Sequence, residues 1–112
     1  MVSKLESGSP PAVQRALRFL ADDIATWRKL RGLTQAQLAD RSNISTNTLA
    51  RLERGDGGIS TTNLLRVLRA LGVLDAVRRS LDPYESDVGR LRADEQLPQR
   101  VRPRRLTSRD ND

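Results

Sequence analysis

The chain has 112 residues, enough for one small domain around a modest core, and no Cys, which excludes disulfides and thiol chemistry and suits a reducing compartment. It has no His either, so metal sites and acid–base catalysis lose their usual residue. A net charge of +6 and a pI near 11.1, with 18 of 20 basic residues Arg, point toward a polyanion, nucleic acid first; an acidic protein partner or plain solubility is the bland alternative.

Residues 1–9 are small and polar and are expected to be disordered. They lack the apolar stretch of a signal peptide, and no apolar run reaches the ~18 residues a membrane span needs. The expected location is cytoplasmic, associated with the nucleoid, with no membrane partner. Ser9-Pro10-Pro11 then reads as a capping Ser with Pro at the first helical positions. Val13, Leu17, Leu20, Ile24 and Trp27 recur at steps of four and three, which predicts a helix to about Arg31, ended by Gly32.

Thr34 with Gln37 three residues on forms a capping box, opening a helix from Gln35 to about Ser42 that buries Leu38 and Ala39. Asn43-Ile44-Ser45 is the turn: Asn tolerates a left-handed backbone and Ile44 plugs inward. Ser45 caps the next helix, which turns Leu49 and Leu52 inward and ends at Gly55. Asp56-Gly57-Gly58 is expected to be a flexible loop. Ser60 caps a fourth helix carrying Leu64, Leu65, Val67, Leu68 and Leu71, ended by Gly72. A short fifth helix, 73–81, is expected to turn Leu74, Val77 and Leu81 inward before Pro83 stops it.

Composition changes after that proline. Residues 83–112 are poor in apolar residues, and residues 96–109 carry five Arg and no acid, broken by Pro98 and Pro103. They are expected to be a charged, largely disordered tail following a folded domain over 10–82.

Helix, three-residue turn, helix is a helix-turn-helix arrangement, in which the second helix shows its outer face to base edges in the major groove. Base edges offer donors and acceptors, which accounts for Thr, Asn, Ser and Arg on a face where Leu would otherwise serve. A plain helical bundle with a polar outer face is the competing reading.

The stretch IATWRKLRGLTQAQLADRSNISTNTLARLERG, with LLRVLRALGV following, resembles the Cro/C1-type helix-turn-helix family of phage repressors and bacterial regulators over roughly residues 20–73. The resemblance implies an all-α, five-helix, lambda-repressor-like DNA-binding bundle, a homodimer on double-stranded operator DNA, and a transcriptional repressor that is not an enzyme and holds no cofactor or metal. It places Thr46, Asn47, Thr48 and Arg51 at base-reading positions, with Gln35 and Ser45 at phosphate. It also implies a buried structural ion pair between Arg28 and Glu53. Two departures stand out. The Asp56-Gly57-Gly58-Ile59 loop lacks the Pro and basic residues the family often has there, and the first helix is longer than in minimal members. Trp27 on that helix reads as core filler or as an interface anchor, and the fifth helix, through Val73, Leu74 and Val77, is the expected dimer seam.

The tail YESDVGRLRADEQLPQRVRPRR resembles that of antitoxins paired with HipA-type kinase toxins. That resemblance implies an autoregulating antitoxin with a HipA-like toxin kinase as partner, and Tyr84, Leu91 and Leu97 as tail residues that meet it. A stand-alone phage-type repressor, a restriction-modification controller and, more remotely, an interaction module that does not touch DNA are the alternatives.

Overall fold

The computed structural model describes residues 10–97, and among these every regular element is helical. Six α-helices run in order: α1 Pro11–Leu30, α2 Gln35–Ser42, α3 Thr46–Glu53, α4 Thr61–Leu71, α5 Leu74–Ser80 and α6 Asp87–Gln96, with a 3-10 turn at Pro83–Glu85. The chain divides into two compact units, one ending at Val77 and one beginning at Arg78, earlier than the break expected between 82 and 83.

In the first unit the helix starts follow local hydrogen-bonding chemistry. Pro10 stands at the N-cap of α1 without a side-chain bond, and its carbonyl accepts from the N–H groups of Val13 and Gln14 at 2.9 and 3.1 Å. Ser9, expected to cap this helix, lies outside the described residues. The capping box at α2 is complete: Thr34 Oγ1 accepts from the Gln37 N–H at 3.1 Å, and the Gln37 side chain accepts from the Thr34 N–H at 2.9 Å. Ser45 and Ser60 cap α3 and α4 with their hydroxyl oxygens, which accept from the N–H groups of Thr48 and Asn63.

The helix ends share one device. After α1, α2, α3 and α4 a residue takes the left-handed conformation: Gly32, Asn43, Gly55 and Gly72. The residue after it sends its N–H back to a carbonyl five residues earlier: Leu33 to Arg28, Ile44 to Ala39, Asp56 to Arg51 and Val73 to Leu68, at 3.0–3.1 Å. This is the Schellman lock, which satisfies carbonyls the helix leaves open.

These short, sharply ended helices close on one core. α2 packs on α3 and α4, and α1 meets α3 and α4. Ile24, Leu33, Leu38, Ala39, Leu49, Leu52, Val67, Leu68 and Leu71 form the buried cluster, with Leu20, Ile44, Ile59, Leu64, Val73 and Leu74 packed on its margin. Leu38 and Leu49 are fully buried, each contributing about 1.5–3 kcal/mol of transfer free energy.

Several expected core residues lie elsewhere. Val13, one turn into α1, is exposed, as are Leu65, Val77 and Leu81. Leu65 falls one step round the helix from the stripe of Leu64, Val67, Leu68 and Leu71. Leu81 lies past the end of α5, where no helix turns it inward. Trp27 is 41% exposed and so does not fill the core; the Arg31 guanidinium lies over its ring at 5.2 Å while Arg31 Nε donates to the Leu71 carbonyl at 3.1 Å. The loop after α3, expected to be flexible, is held: the Asp56 carboxylate accepts from the Gly58 N–H at 2.8 Å and pairs with Arg51.

In the second unit, the expectation of a largely disordered tail fails for residues 83–97. Asp82 Oδ1 accepts from the Tyr84 N–H at 2.9 Å and starts the 3-10 turn; Ser86 Oγ accepts from the Gly89 N–H at 2.9 Å and starts α6. Asp87 then lies in the first turn of α6, where a negative charge suits the helix dipole. Arg90 pairs with Asp87 and donates to the Tyr84 carbonyl, tying α6 to the turn. Composition hid this helix because its apolar content is low and charged and Pro residues surround it, although its caps are local. The Arg run after Pro98 and the segment before Pro10 lie outside the described residues.

Candidate nucleic-acid interface

One carboxylate ties α3 to the elements before it. Glu53, in its last turn, accepts from Arg28 twice, Nε to Oε2 at 2.8 Å and an outer nitrogen to Oε1 at 3.1 Å. It also accepts from Gln35 Nε2 at 3.0 Å. The side chains of Arg28 and Glu53 keep only 13% and 6% of their exposure. The third Arg28 nitrogen donates to the Leu33 carbonyl at 2.9 Å. A single buried fork therefore joins α1, the turn before α2, the start of α2 and the end of α3. Such a network sets the angle at which α3 leaves the core, and removing one member strands a charge.

With its inner face pinned by Leu49 and Leu52, α3 turns Thr46 and Asn47 out to solvent. Both lie in the first turn of the helix, where N–H groups lack intrahelical partners and the dipole is positive. Thr48 is half-buried and bonded: Ser45 Oγ donates to Thr48 Oγ1 at 2.8 Å and accepts from the Thr48 N–H at 3.0 Å. The single Ser45 hydroxyl proton is thus engaged, and a bond from Ser45 to phosphate would give up the one to Thr48. Gln35 has two amide N–H groups, one of which goes to Glu53, so the other is the one available to an anion.

Arg51, one turn beyond Asn47, does not extend freely. Its Nε donates to Asp56 Oδ2 at 2.8 Å, and a terminal nitrogen reaches the same oxygen at 2.7 Å. The side chain keeps 40% exposure. The Asp56 carboxyl is held below its ordinary range, chiefly by the Gly58 N–H and next by the Arg51 side chain. The sequence marks Asp56 as part of a flexible loop that lacks positive charge, and not as a partner of Arg51. The signal that would have found it is the spacing: a Gly closing a helix places the residue after it beside the one five positions earlier.

Tyr84 is half-buried in the second unit, while Leu91 and Leu97 are exposed there with Val88. Among the described residues no group of three or more acidic side chains is placed to hold a metal ion, and no helix is long and apolar enough to cross a membrane.

Residues 24–75 match the family model described as Helix-turn-helix, a span running from the middle of α1 into α5. No curated protein and no solved structure matches the chain.

Proposed function

We propose that the protein is a sequence-specific DNA-binding transcriptional repressor that reads operator DNA with α3. The observation that carries this reading is the division of α3: Leu49 and Leu52 lie in the core, and Thr46, Asn47 and Arg51 reach solvent on the other side. Thr46 and Asn47 lie on the helix turn nearest the groove floor, where Asn pairs with adenine and Arg with guanine. Gln35 and Ser45 serve the flanking phosphates from the starts of α2 and α3, where helix N-termini favour anions. The reading rests also on the Helix-turn-helix match over residues 24–75 and on the excess of Arg.

One reading helix makes a small interface, so the protein acts as a homodimer on two inverted half-sites about 34 Å apart. Val77, exposed beside half-buried Val73 and Leu74, offers apolar surface for that seam. For the second unit we retain the antitoxin reading, with a HipA-type kinase as partner. It rests on the resemblance of the tail and on the exposure of Val88 and Leu91, three residues apart on α6.

The test is a gel-shift titration of the full chain against its own upstream DNA and against random duplex, at two salt concentrations. Asn47→Ala is expected to lose about 1–3 kcal/mol on the selected site only. Equal affinity of parent and folded variant for both duplexes refutes the reading of α3. Co-purification of the full chain, but not of a chain truncated at Pro83, with a kinase encoded beside it decides the antitoxin role.

A further inference from the structure

Four helices of the first unit end in the same Schellman lock, but they do not fill it alike. The residue after the left-handed one is Leu33 after α1, Ile44 after α2 and Val73 after α4, each buried or half-buried against the core. That apolar contact is the usual companion of the motif. After α3 the same place is held by Asp56. The lock puts the Asp56 N–H on the Arg51 carbonyl at 3.1 Å, and so fixes the carboxylate beside the Arg51 side chain. Gly55 makes the reversal possible, at a φ of +88°, a conformation that side chains with a Cβ rarely adopt. The carboxylate is then anchored a second time, through Oδ1 to the Gly58 N–H.

The contact is one-sided in a way that matters for recognition. A single oxygen, Oδ2, takes both Nε and one terminal nitrogen of Arg51. The clamp uses the inner edge of the guanidinium. The outer end, where two terminal N–H groups run parallel, is the edge that matches the O6 and N7 acceptors of guanine. A free Arg must give up rotamer freedom to present that fork, which weakens a contact by roughly 2–10-fold for a side chain of this kind. Arg51 is held already, by a carboxylate that is itself held by backbone. An acidic group beside DNA otherwise only repels phosphate, so its place at the end of the reading helix needs a positive account.

We propose that Asp56 is a specificity-positioning residue, which clamps the inner edge of Arg51 and directs the outer end at one guanine in the operator. This rests on the DNA-reading function proposed above and names the residue that selects one of its bases. Asp56 also withholds Arg51 from phosphate and lowers affinity for unrelated sequences through its negative charge. The clamp therefore sharpens selectivity from both sides.

The experiment uses the full chain and a pool of random-core duplexes. The best duplex selected by the parent is then remade with each G·C pair changed to A·T. Asp56→Asn is the informative variant: its side-chain oxygen can still accept from the Gly58 N–H, whereas the amide nitrogen facing Arg51 accepts nothing. The expected result is a roughly 2–10-fold loss of preference at one G·C pair, the equivalent of the rotamer cost above. Affinity for random duplex should rise, and the slope of log affinity against log salt should steepen by up to about 0.9 as the freed Arg51 finds a phosphate. Arg51→Lys, which keeps the charge but has no fork, should lose the same preference at the same pair. In an Arg51→Ala background, Asp56→Asn should leave base preference unchanged. Retention of the G·C preference by Asp56→Asn overturns the proposal, as does an equal effect of Asp56→Asn with and without Arg51. A parent that selects no sequence from the pool sinks the DNA-reading function and this inference with it; a selective parent with an indifferent Asp56→Asn sinks the inference alone.

Discussion

Glu53→Gln tests whether one carboxylate orients α3. In the parent, Glu53 accepts three hydrogen bonds with a side chain only 6% exposed. Glutamine keeps one oxygen and replaces the other with an NH2 group, which faces Arg28 Nε at the Oε2 position, or both Arg28 and Gln35 at the Oε1 position, and meets a donor either way. The Arg28 charge is then left in place with half its fork. Breaking a buried pair from one side costs about 3–5 kcal/mol, and the lower figure applies because Arg28 retains the Leu33 carbonyl and some solvent. For a domain of this size about 3 kcal/mol corresponds to roughly 12–24 °C in melting temperature. Thermal melts of Glu53→Gln, Arg28→Met and the double variant Arg28→Met/Glu53→Leu give the answer. The singles are expected to fall by that amount and the double to recover much of the loss, since it removes both charges together. Single variants that melt within about 3 °C of the parent would refute the reasoning. So would a double variant that loses the sum of the two singles, since it would show no coupling between the residues.

Ser42 is 3% exposed and its hydroxyl has no hydrogen-bond partner among the described residues, so Ser42→Ala should hold or raise the melting temperature; a fall of more than about 1 kcal/mol in denaturant titration would show that the hydroxyl is bonded after all. At Gly89 a Cβ would run into the Pro83 carbonyl oxygen. Gly89→Ala should therefore push the 3-10 turn off α6 and lower amide-exchange protection over 83–96, against the gain of about 1 kcal/mol that Ala brings to an unobstructed helix; increased protection would mean that the turn does not pack there. Asp56, whose folded carboxyl is held below the ordinary aspartate value of 3.8, contributes stability that is present above that value and lost as pH falls through the lower folded one. The gap in melting temperature between the parent and Asp56→Asn should stay constant from neutrality down to 3.8 and shrink below it; a gap that widens in acid contradicts the pairing.

Much of the first unit was legible because its limits are set by chemistry within a few residues. Thr34 with Gln37, Ser45 and Ser60 each satisfy N–H groups three residues on, and Asn43 and Gly72 reverse the chain where the apolar period stops. These bonds need no distant partner, so their residues announce them. The stripe of Leu49 and Leu52, and that of Leu64, Val67, Leu68 and Leu71, followed from helical period in the same way. The period was less reliable at its edges. Val13, Leu65 and Val77 have apolar side chains near the right spacing, and only the packing of the other helices decided that they stay exposed. For α6 the fault lay in reading composition over caps: Asp82 and Ser86 were as local as Thr34, but the Arg and Pro around them argued for disorder.

The site divides along the same line. Polar residues on the outer face of α3 were visible in the sequence, since Thr46, Asn47 and Arg51 break a pattern that otherwise calls for Leu. Arg28 and Glu53, 25 residues apart, could be joined only by resemblance, because no local rule relates two charges across three elements. Gln35 was expected at phosphate, and its bond to Glu53 emerged only when α2 and α3 were brought together. The fate of Arg51 turned on a loop closure within residues 51–58 that helical period does not announce. A charged side chain at a helix end has many rotamers in water, and no propensity selects among them. Once Gly55 turns the backbone and the loop anchors Asp56 on the Gly58 N–H, one orientation gains a charged hydrogen bond and a close ion pair, and the side chain is held in it.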